Sequence, residues 1–322
     1  MSYYLPDTMC IVIASHISNA SRVPYLTECL LSLVRQTIPV QIYLSISFEN
    51  NDLHEFVLTS ISQIDELFSS SRIIIFTHDK KTPQMRHIEY LLSNIDVNHE
   101  WILFCDDDDT YKPNRVELFA ETIAQCIRIQ LPQEQTIVGA YESTYGKDHR
   151  EQRHEFWCYC VRRILMTRFF DILRNYPDVL DNKCCDVLFA EFLRRSNPNC
   201  LFARIAEQTY NYRVENNGGS VTGFIKANQS LYTHFTEPPP EDHASRAEYV
   251  SNWNAYVREN IAVYLHDTYL RTLVGVLIDD ILTLEFRANA PILDHDNNTR
   301  IREYHNHIRK ACNEVYDTPI TT

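Results

Sequence analysis

Five apolar residues, Trp101-Ile102-Leu103-Phe104-Cys105, run directly into four carboxylates, Asp106-Asp107-Asp108-Asp109. Thr110-Tyr111-Lys112-Pro113 closes the stretch. A short apolar run bounded by turn residues suits a strand buried on both faces of an α/β sheet. Adjacent carboxylates repel one another, and a folded chain tolerates them where water or a cation offsets the repulsion. In an extended backbone Asp106 and Asp108 point to one face, and Asp107 and Asp109 to the other. Paired carboxylates at the carboxyl end of a buried strand stand where open α/β sheets bind ligands. As hard oxygen ligands they suit Mg2+ or Mn2+ rather than zinc. The plainer reading is a solvated acidic turn, and the apolar strand ahead of the run argues against it.

Composition narrows what such a site holds. The 322 residues include six glycines, against a usual share of ~7%. None precedes Gly139, so the N-terminal half has no G-x-G-x-x-G and no Walker A loop. A diphosphate bound there must be neutralised by a cation or by Lys and Arg. The formal net charge of −13 disfavours nucleic acid or an anionic membrane as partner. Hydrophobic content of 44% is that of a globular chain. Asp7 interrupts Met1–Cys10, so no secretory leader is expected, and the ten cysteines read as buried thiols of a reducing, cytoplasmic setting. Cys158-x-Cys160 and Cys184-Cys185 lack zinc-site spacing. The best apolar run, Leu273 to Leu284, is broken by Asp279 and Asp280, so no transmembrane segment is expected.

The elements that would position the carboxylates follow from periodicity. Apolar runs at 10–14, 40–46, 72–76 and 101–105 read as strands. Helical spacing recurs at 23–33, 53–68, 85–95 and 116–127. Four strand–helix alternations predict a mostly parallel sheet with helices on both faces. Beyond Thr136, strands are expected at 136–141, 155–165 and 205–213, and a helix at 186–195. Pro238-Pro239-Pro240, set among Glu, Asp and Ser, marks 235–248 as an extended linker. Helices are expected at 249–286 and 298–316. The expected domains are 1–235, with a nucleotide half at 8–130 and an acceptor half at 131–235, then a linker at 236–248 and a helical extension at 249–322. Asp294-x-Asp296 has no strand before it and reads as a capping loop.

These features together resemble a GT-A glycosyltransferase of the family-2 type. Ile11-Val12-Ile13-Ala14-Ser15-His16 looks like the opening strand whose end contacts the nucleoside. Tyr25 to Thr37 looks like the first helix with its terminal Ser-x-x-x-Gln-Thr. Gln84-Met85-Arg86-His87 resembles the segment that brings an arginine near the nucleotide. Phe104 to Asp109, with Pro113 and Glu117, resembles the Asp-x-Asp-Asp strand end. The resemblance spans residues 10–130 and continues more weakly to 222.

It implies a metal-dependent, inverting transfer of a sugar from a nucleotide-diphosphate donor, a UDP-sugar favoured, to a hydroxyl of a glycan or other acceptor. Ala14, Ser15, His16, Glu49, Arg86, Asp106 and Asp107 are then expected at the donor, with Asp52 a rival to Glu49. Asp106 and Asp108 are expected to hold the metal, Mn2+ or Mg2+. A usual third ligand, histidine, is replaced by a turn carrying Glu215, Asn216 and Asn217. Asp186 is expected as the base, kept ionised by the dipole of the helix it opens, with Cys185 where the family usually has Glu. Glu142 and Asp148 are rival bases. Lys80 and Lys81 read as solvated surface or phosphate contacts. Arg153, His154, Trp157 and Tyr159 lie in the segment expected to face the acceptor. The alternative is a non-catalytic sugar-nucleotide or glycan-binding protein whose C-terminal helices dock a partner. Those helices could also form a homodimer.

Overall fold

The four apolar runs become β1 (Met9–Ile17), β2 (Gln41–Phe48), β3 (Ile73–His78) and β4 (Trp101–Asp106). In the computed structural model, which describes residues 5–129, 135–143, 153–195, 200–213, 241–282 and 293–317, these strands lie side by side as β3-β2-β1-β4, all parallel. Nearly every residue of β1, β2 and β4 is buried, so both faces of the sheet are covered. The connections between them are α1 (Val23–Val34), α2 (Asn51–Ser62), α3 (Asp65–Phe68) and α4 (Gln84–Asn94), with α5 (Arg115–Arg128) after the short β5 (Thr110–Tyr111). The single helix expected at 53–68 is two, because Ile64 is extended (φ −99°, ψ 103°) and interrupts the ladder.

The sheet continues through β7 (Tyr159–Arg162), β6 (Thr136–Glu142) and β8 (Cys200–Ile205). Only β7 runs against the others: it pairs antiparallel with both β4 and β6, while β6 and β8 are parallel. The strand expected at 155–165 is shorter, since Phe156–Cys158 form a 3-10 turn and α6 (Arg163–Leu173) begins at once. The strand expected at 205–213 is also divided. β8 ends at Ile205, and β9 (Tyr210–Asn211) leaves the sheet to pair with β5. α7 (Pro177–Leu180) and α8 (Cys185–Arg195) complete the described part of this unit.

Gly139 marks the closest approach in the sheet. A Cβ there would lie 2.5 Å from the Cys160 carbonyl oxygen and 2.7 Å from the Phe202 ring. Backbone cannot retreat as a flexible side chain can, so Gly139→Ala should destabilise by about 1–3 kcal/mol. Chemical denaturation would show this as a lower midpoint with an unchanged slope, and an unchanged midpoint would mean that β7 can shift outward.

The second unit, Glu215–Asp317, is helical where described: α9 (His243–Glu259), α10 (Ile261–Leu273), α11 (Ile278–Leu282) and α12 (His295–Asp317). Its core is Trp253, Val257, Tyr264 and Ile301. α9 starts inside the expected linker, because Asp242 caps it by accepting from the Ser245 N–H at 2.9 Å. The helix expected at 249–286 is interrupted at Asn260 and again at Gly275, whose φ of 90° no other residue adopts easily. Asp294 accepts from the Asn297 N–H at 2.9 Å, the capping role its sequence context suggests. None of the ten cysteines forms a disulfide. Among the described residues no helix is long and apolar enough to cross a membrane.

Candidate active site at the carboxyl edge of the sheet

Strand register assembles the site. Ala14 of β1 stands beside Asp106 of β4 on one side and Ser45 of β2 on the other. Ser15, His16 and Glu49 therefore share one edge with the aspartate run. The run itself does not continue as extended chain. The Asp109 N–H donates to the Asp106 carbonyl at 3.2 Å, closing a turn over Asp107 and Asp108. The expected alternation of faces is thereby replaced by four separate environments.

Asp107 is buried and accepts from Ser15 Oγ at 2.6 Å and Arg22 Nη2 at 2.7 Å. The same Arg22 stands 3.6 Å from Asp108. Asp109 is buried and accepts from Tyr210 Oη at 2.9 Å and the Arg213 N–H at 2.7 Å. Tyr210 Oη in turn accepts from the Asp106 N–H at 3.0 Å, so one phenol pins both ends of the turn. Asp106 accepts from Gln84 Nε2, the first residue of α4, at 2.9 Å.

Charge is crowded here. Burial, then Asp109, Asp108, Asp186 and Asp107 in that order, hold the Asp106 carboxyl well above the usual carboxylate range. Burial pushes Asp109 up to about 7 against the opposing hydrogen bonds from Arg213 and Tyr210. Phe189 of α8 packs edge-on against Phe104 of β4 with ring centroids 5.6 Å apart, so the start of α8, with Asp186 in its first turn, lies toward the end of β4, and the Asp186 charge is among those that raise Asp106. Asp186 itself is pushed up to about 7, by burial first and by Glu155 second, against hydrogen bonds from the Val187 and Asp186 N–H groups and the charge of Arg153. The expectation that the helix dipole keeps Asp186 ionised is therefore corrected: desolvation outweighs two backbone donors at a helix start.

Tyr210 owes its position to a buried scaffold. Its ring stacks on Trp157 at 4.1 Å with a 13° interplanar angle. Glu142 lies beneath, paired with buried Arg115 and accepting from Thr209 N at 2.9 Å, Thr209 Oγ1 at 2.6 Å and Tyr210 N at 3.1 Å. With both oxygens so committed and 1% exposure, Glu142 is an anchor of the β9 segment rather than a rival base. Asp148, the other rival, and the Glu215-Asn216-Asn217 turn lie outside the described residues. Trp157, Tyr159 and His154 are 6%, 0% and 1% exposed, so they pack the interior and do not present faces to an acceptor. Tyr212, 52% exposed and stacked on Trp157 at 5.4 Å, is the exposed aromatic of that group.

Arg86, expected at the phosphates, points elsewhere. It donates to Asp181 at 2.5 Å and to Glu89 at 2.9 Å, tying α4 to the loop that leads into α8. Gln84, from the same quoted segment, is the side chain that reaches the carboxylates. Lys80 and Lys81 are exposed. Glu49 accepts from His16 at 3.2 Å and is 54% exposed, while Asp52 sits in the first turn of α2. The residues that sequence reasoning missed are Arg22, Gln84 as a contact, and Tyr210. Among the described residues no group of three or more His, Cys, Asp or Glu side chains is arranged to hold a metal.

Solved structures similar to this chain are distant. TarS from S. aureus aligns with a TM-score of 0.41 at 12% identity, covering 95% of this chain, which spans only 55% of that one. The mannosyltransferase PcManGT from Pyrobaculum calidifontis, solved with GDP-Man and Mn2+, aligns with a TM-score of 0.43 at 11% identity, covering 96% of this chain and 87% of that one. A 4-diphosphocytidyl-2C-methyl-D-erythritol synthase from Anaerococcus prevotii aligns with a TM-score of 0.40 at 16% identity over 71% of this chain and 99% of that one. No curated protein sequence matches. The family model described as glycosyl transferase family 2 matches residues 10–186, more than half of the chain, and the protein belongs to that family.

Proposed function

We propose that the protein is a divalent-cation-dependent, inverting glycosyltransferase that moves a sugar from a nucleotide-diphosphate donor, a UDP-sugar by preference, to a hydroxyl acceptor. The observation that carries this reading is the grouping of Asp106 and Asp108 on the turn after β4 with Asp186 in the first turn of α8, a helix whose Phe189 packs against Phe104 of β4. Family membership supports the reaction class.

The donor set suits a hard cation. Asp106 and Asp108 offer carboxylate oxygens, and Mg2+ or Mn2+ needs only one or two of these when water and diphosphate supply the rest. Bound there, the cation would offset charge developing on the departing diphosphate. The protein's own groups do the remainder. Ala14, Ser15, His16 and Glu49 form the nucleoside end. Arg22 and Gln84 keep the aspartates in place. Asp186 takes the proton of the acceptor hydroxyl as its oxygen bonds to the anomeric carbon. The bond from that carbon to the phosphate oxygen breaks, and the electron pair leaves with the diphosphate.

A thermal-shift panel of nucleoside diphosphates tests this. UDP with Mn2+ should raise Tm, and a ligand at a hundred times its Kd adds ~2.7 kcal/mol. Neither component alone should reproduce the shift. No shift with any nucleoside diphosphate in the presence of Mn2+ would overturn the donor reading.

A further inference from the structure

Five hydrogen bonds run in series through the nucleoside end of the sheet. Glu49 meets His16 Nε2 at 3.2 Å, and His16 Nδ1 meets Ser47 Oγ at 3.0 Å. Ser47 Oγ meets His87 Nε2 at 3.1 Å, His87 Nδ1 meets Ser45 Oγ at 2.8 Å, and Ser45 Oγ meets His78 Nε2 at 2.7 Å. Ser45, Ser47 and His87 are 0%, 0% and 1% exposed, so no water is needed to complete the chain. It crosses from β1 through β2 and α4 to β3.

Donor and acceptor counting fixes its direction. An ionised Glu49 only accepts, so His16 Nε2 carries a proton. Neutral His16 then has a bare Nδ1 and receives the Ser47 hydroxyl proton. Ser47 has no second proton, so it accepts from His87 Nε2–H, and also from the Thr82 N–H at 3.4 Å. His87 Nδ1 is then bare and receives the Ser45 hydroxyl, which accepts from His78 Nε2–H. Every donor points toward Glu49. If His16 gains a proton, its Nδ1–H donates to Ser47. Ser47 must then donate to a bare His87 Nε2, and each later bond reverses as far as His78.

We infer that His87 is a positioning residue for His16, acting through Ser47, and that protonation of His16 reverses the tautomers of His87 and His78 together. The groups facing His87 are consistent with its holding only one proton. Burial pushes it down to about 3, and His78 and His16 add like charge. His78 is also pushed down, by burial, with Asp79 opposing, and Tyr90 of α4 packs edge-on against it at 4.7 Å. Both of His16's nitrogens are committed within the chain, so what it offers a ligand is a ring of fixed orientation. That this ring meets a nucleobase rests on the donor reading above.

Nitrogen-15 NMR of the histidine side chains in the full-length protein tests the chain without any ligand. At pH 8 all three histidines should be Nε2–H. Wherever the spectra show His16 carrying protons on both nitrogens, His87 and His78 should both be Nδ1–H. In Ser47→Ala, a small change that leaves the sheet intact, His87 should no longer follow His16. A His87 that is Nδ1–H while His16 is Nε2–H, or that stays Nε2–H when His16 carries protons on both nitrogens in the native protein, overturns the inference. Binding of UDP with Mn2+ provides the second readout. Loss of one buried bridge in Ser47→Ala should weaken it roughly three- to ten-fold. The expected tautomers with no nucleotide binding in any variant would uphold the chain and sink the donor reading. Unchanged affinity in a Ser47→Ala protein whose chain is shown to be cut would overturn the positioning role.

Discussion

Asp108→Asn should lower sugar transfer by about 10²- to 10³-fold while leaving the fold in place. Asp108 lies on the turn after β4, with a side chain 15% exposed and Arg22 at 3.6 Å. An amide keeps the shape of the carboxylate but removes the charge that a divalent cation requires. The Mn2+-dependent part of the UDP thermal shift should vanish with it. Asp107→Asn makes the contrast, because Asp107 faces Ser15 and Arg22. Its loss should cost stability, with Arg22 left without its closest carboxylate, more than it costs chemistry. Mn2+ affinity in the native protein should rise with pH. Burial and the neighbouring carboxylates favour the protonated form of Asp106, and a proton there must leave before a cation can take its place. Calorimetric titration with Mn2+ over a series of pH values would show the trend. An Asp108→Asn protein with full, Mn2+-stimulated activity would remove the metal role from this turn.

What the sequence discloses and what it conceals divide along chain distance. The strand ahead of the aspartates is a local pattern of apolar residues, and β4 forms where that pattern lies. The same holds for β1, β2, β3 and the helices between them. The capping role of Asp294 is equally local. The partners of the aspartates are not. Arg22 reaches Asp107 across 85 residues, Gln84 reaches Asp106 across 22, and Tyr210 reaches Asp106 across 104. No periodicity encodes such pairings: each joins segments that only the folded sheet brings together, and Tyr210 arrives because β9 leaves the main sheet to pair with β5. The alternation rule failed at Asp107 for a related reason. It assumes extended backbone, and the Asp109-to-Asp106 hydrogen bond bends the chain. Arg86 was misplaced because a sequence shows an arginine near a site without showing Asp181 and Glu89 waiting for it.

Asp186→Asn should leave UDP and Mn2+ binding intact and reduce kcat by about 10²- to 10⁴-fold, the range for loss of a general base. The stability of the same variant carries the stronger test, because its sign is fixed by the pKa shift. A carboxyl at about 7 in the folded chain and near 4 when unfolded is protonated in the fold over a range where the unfolded chain has already ionised it. The unfolded state then binds fewer protons, so stability is complete below about pH 4, falls as pH rises, and levels off above 7. An amide does not titrate. Asp186→Asn should therefore match the native protein at pH 4 and exceed its stability at pH 8 by as much as a few kcal/mol. Activity of the native protein runs the opposite way, since a base works only when ionised, and kcat/KM should climb through pH 7 to a plateau. A protein that is most active where this one carboxylate destabilises it most has its base held by a desolvated site. An Asp186→Asn enzyme with native kcat, or one no more stable than native at pH 8, would pass the role to another group, with Glu155, the carboxylate whose charge acts most on Asp186, the first to test.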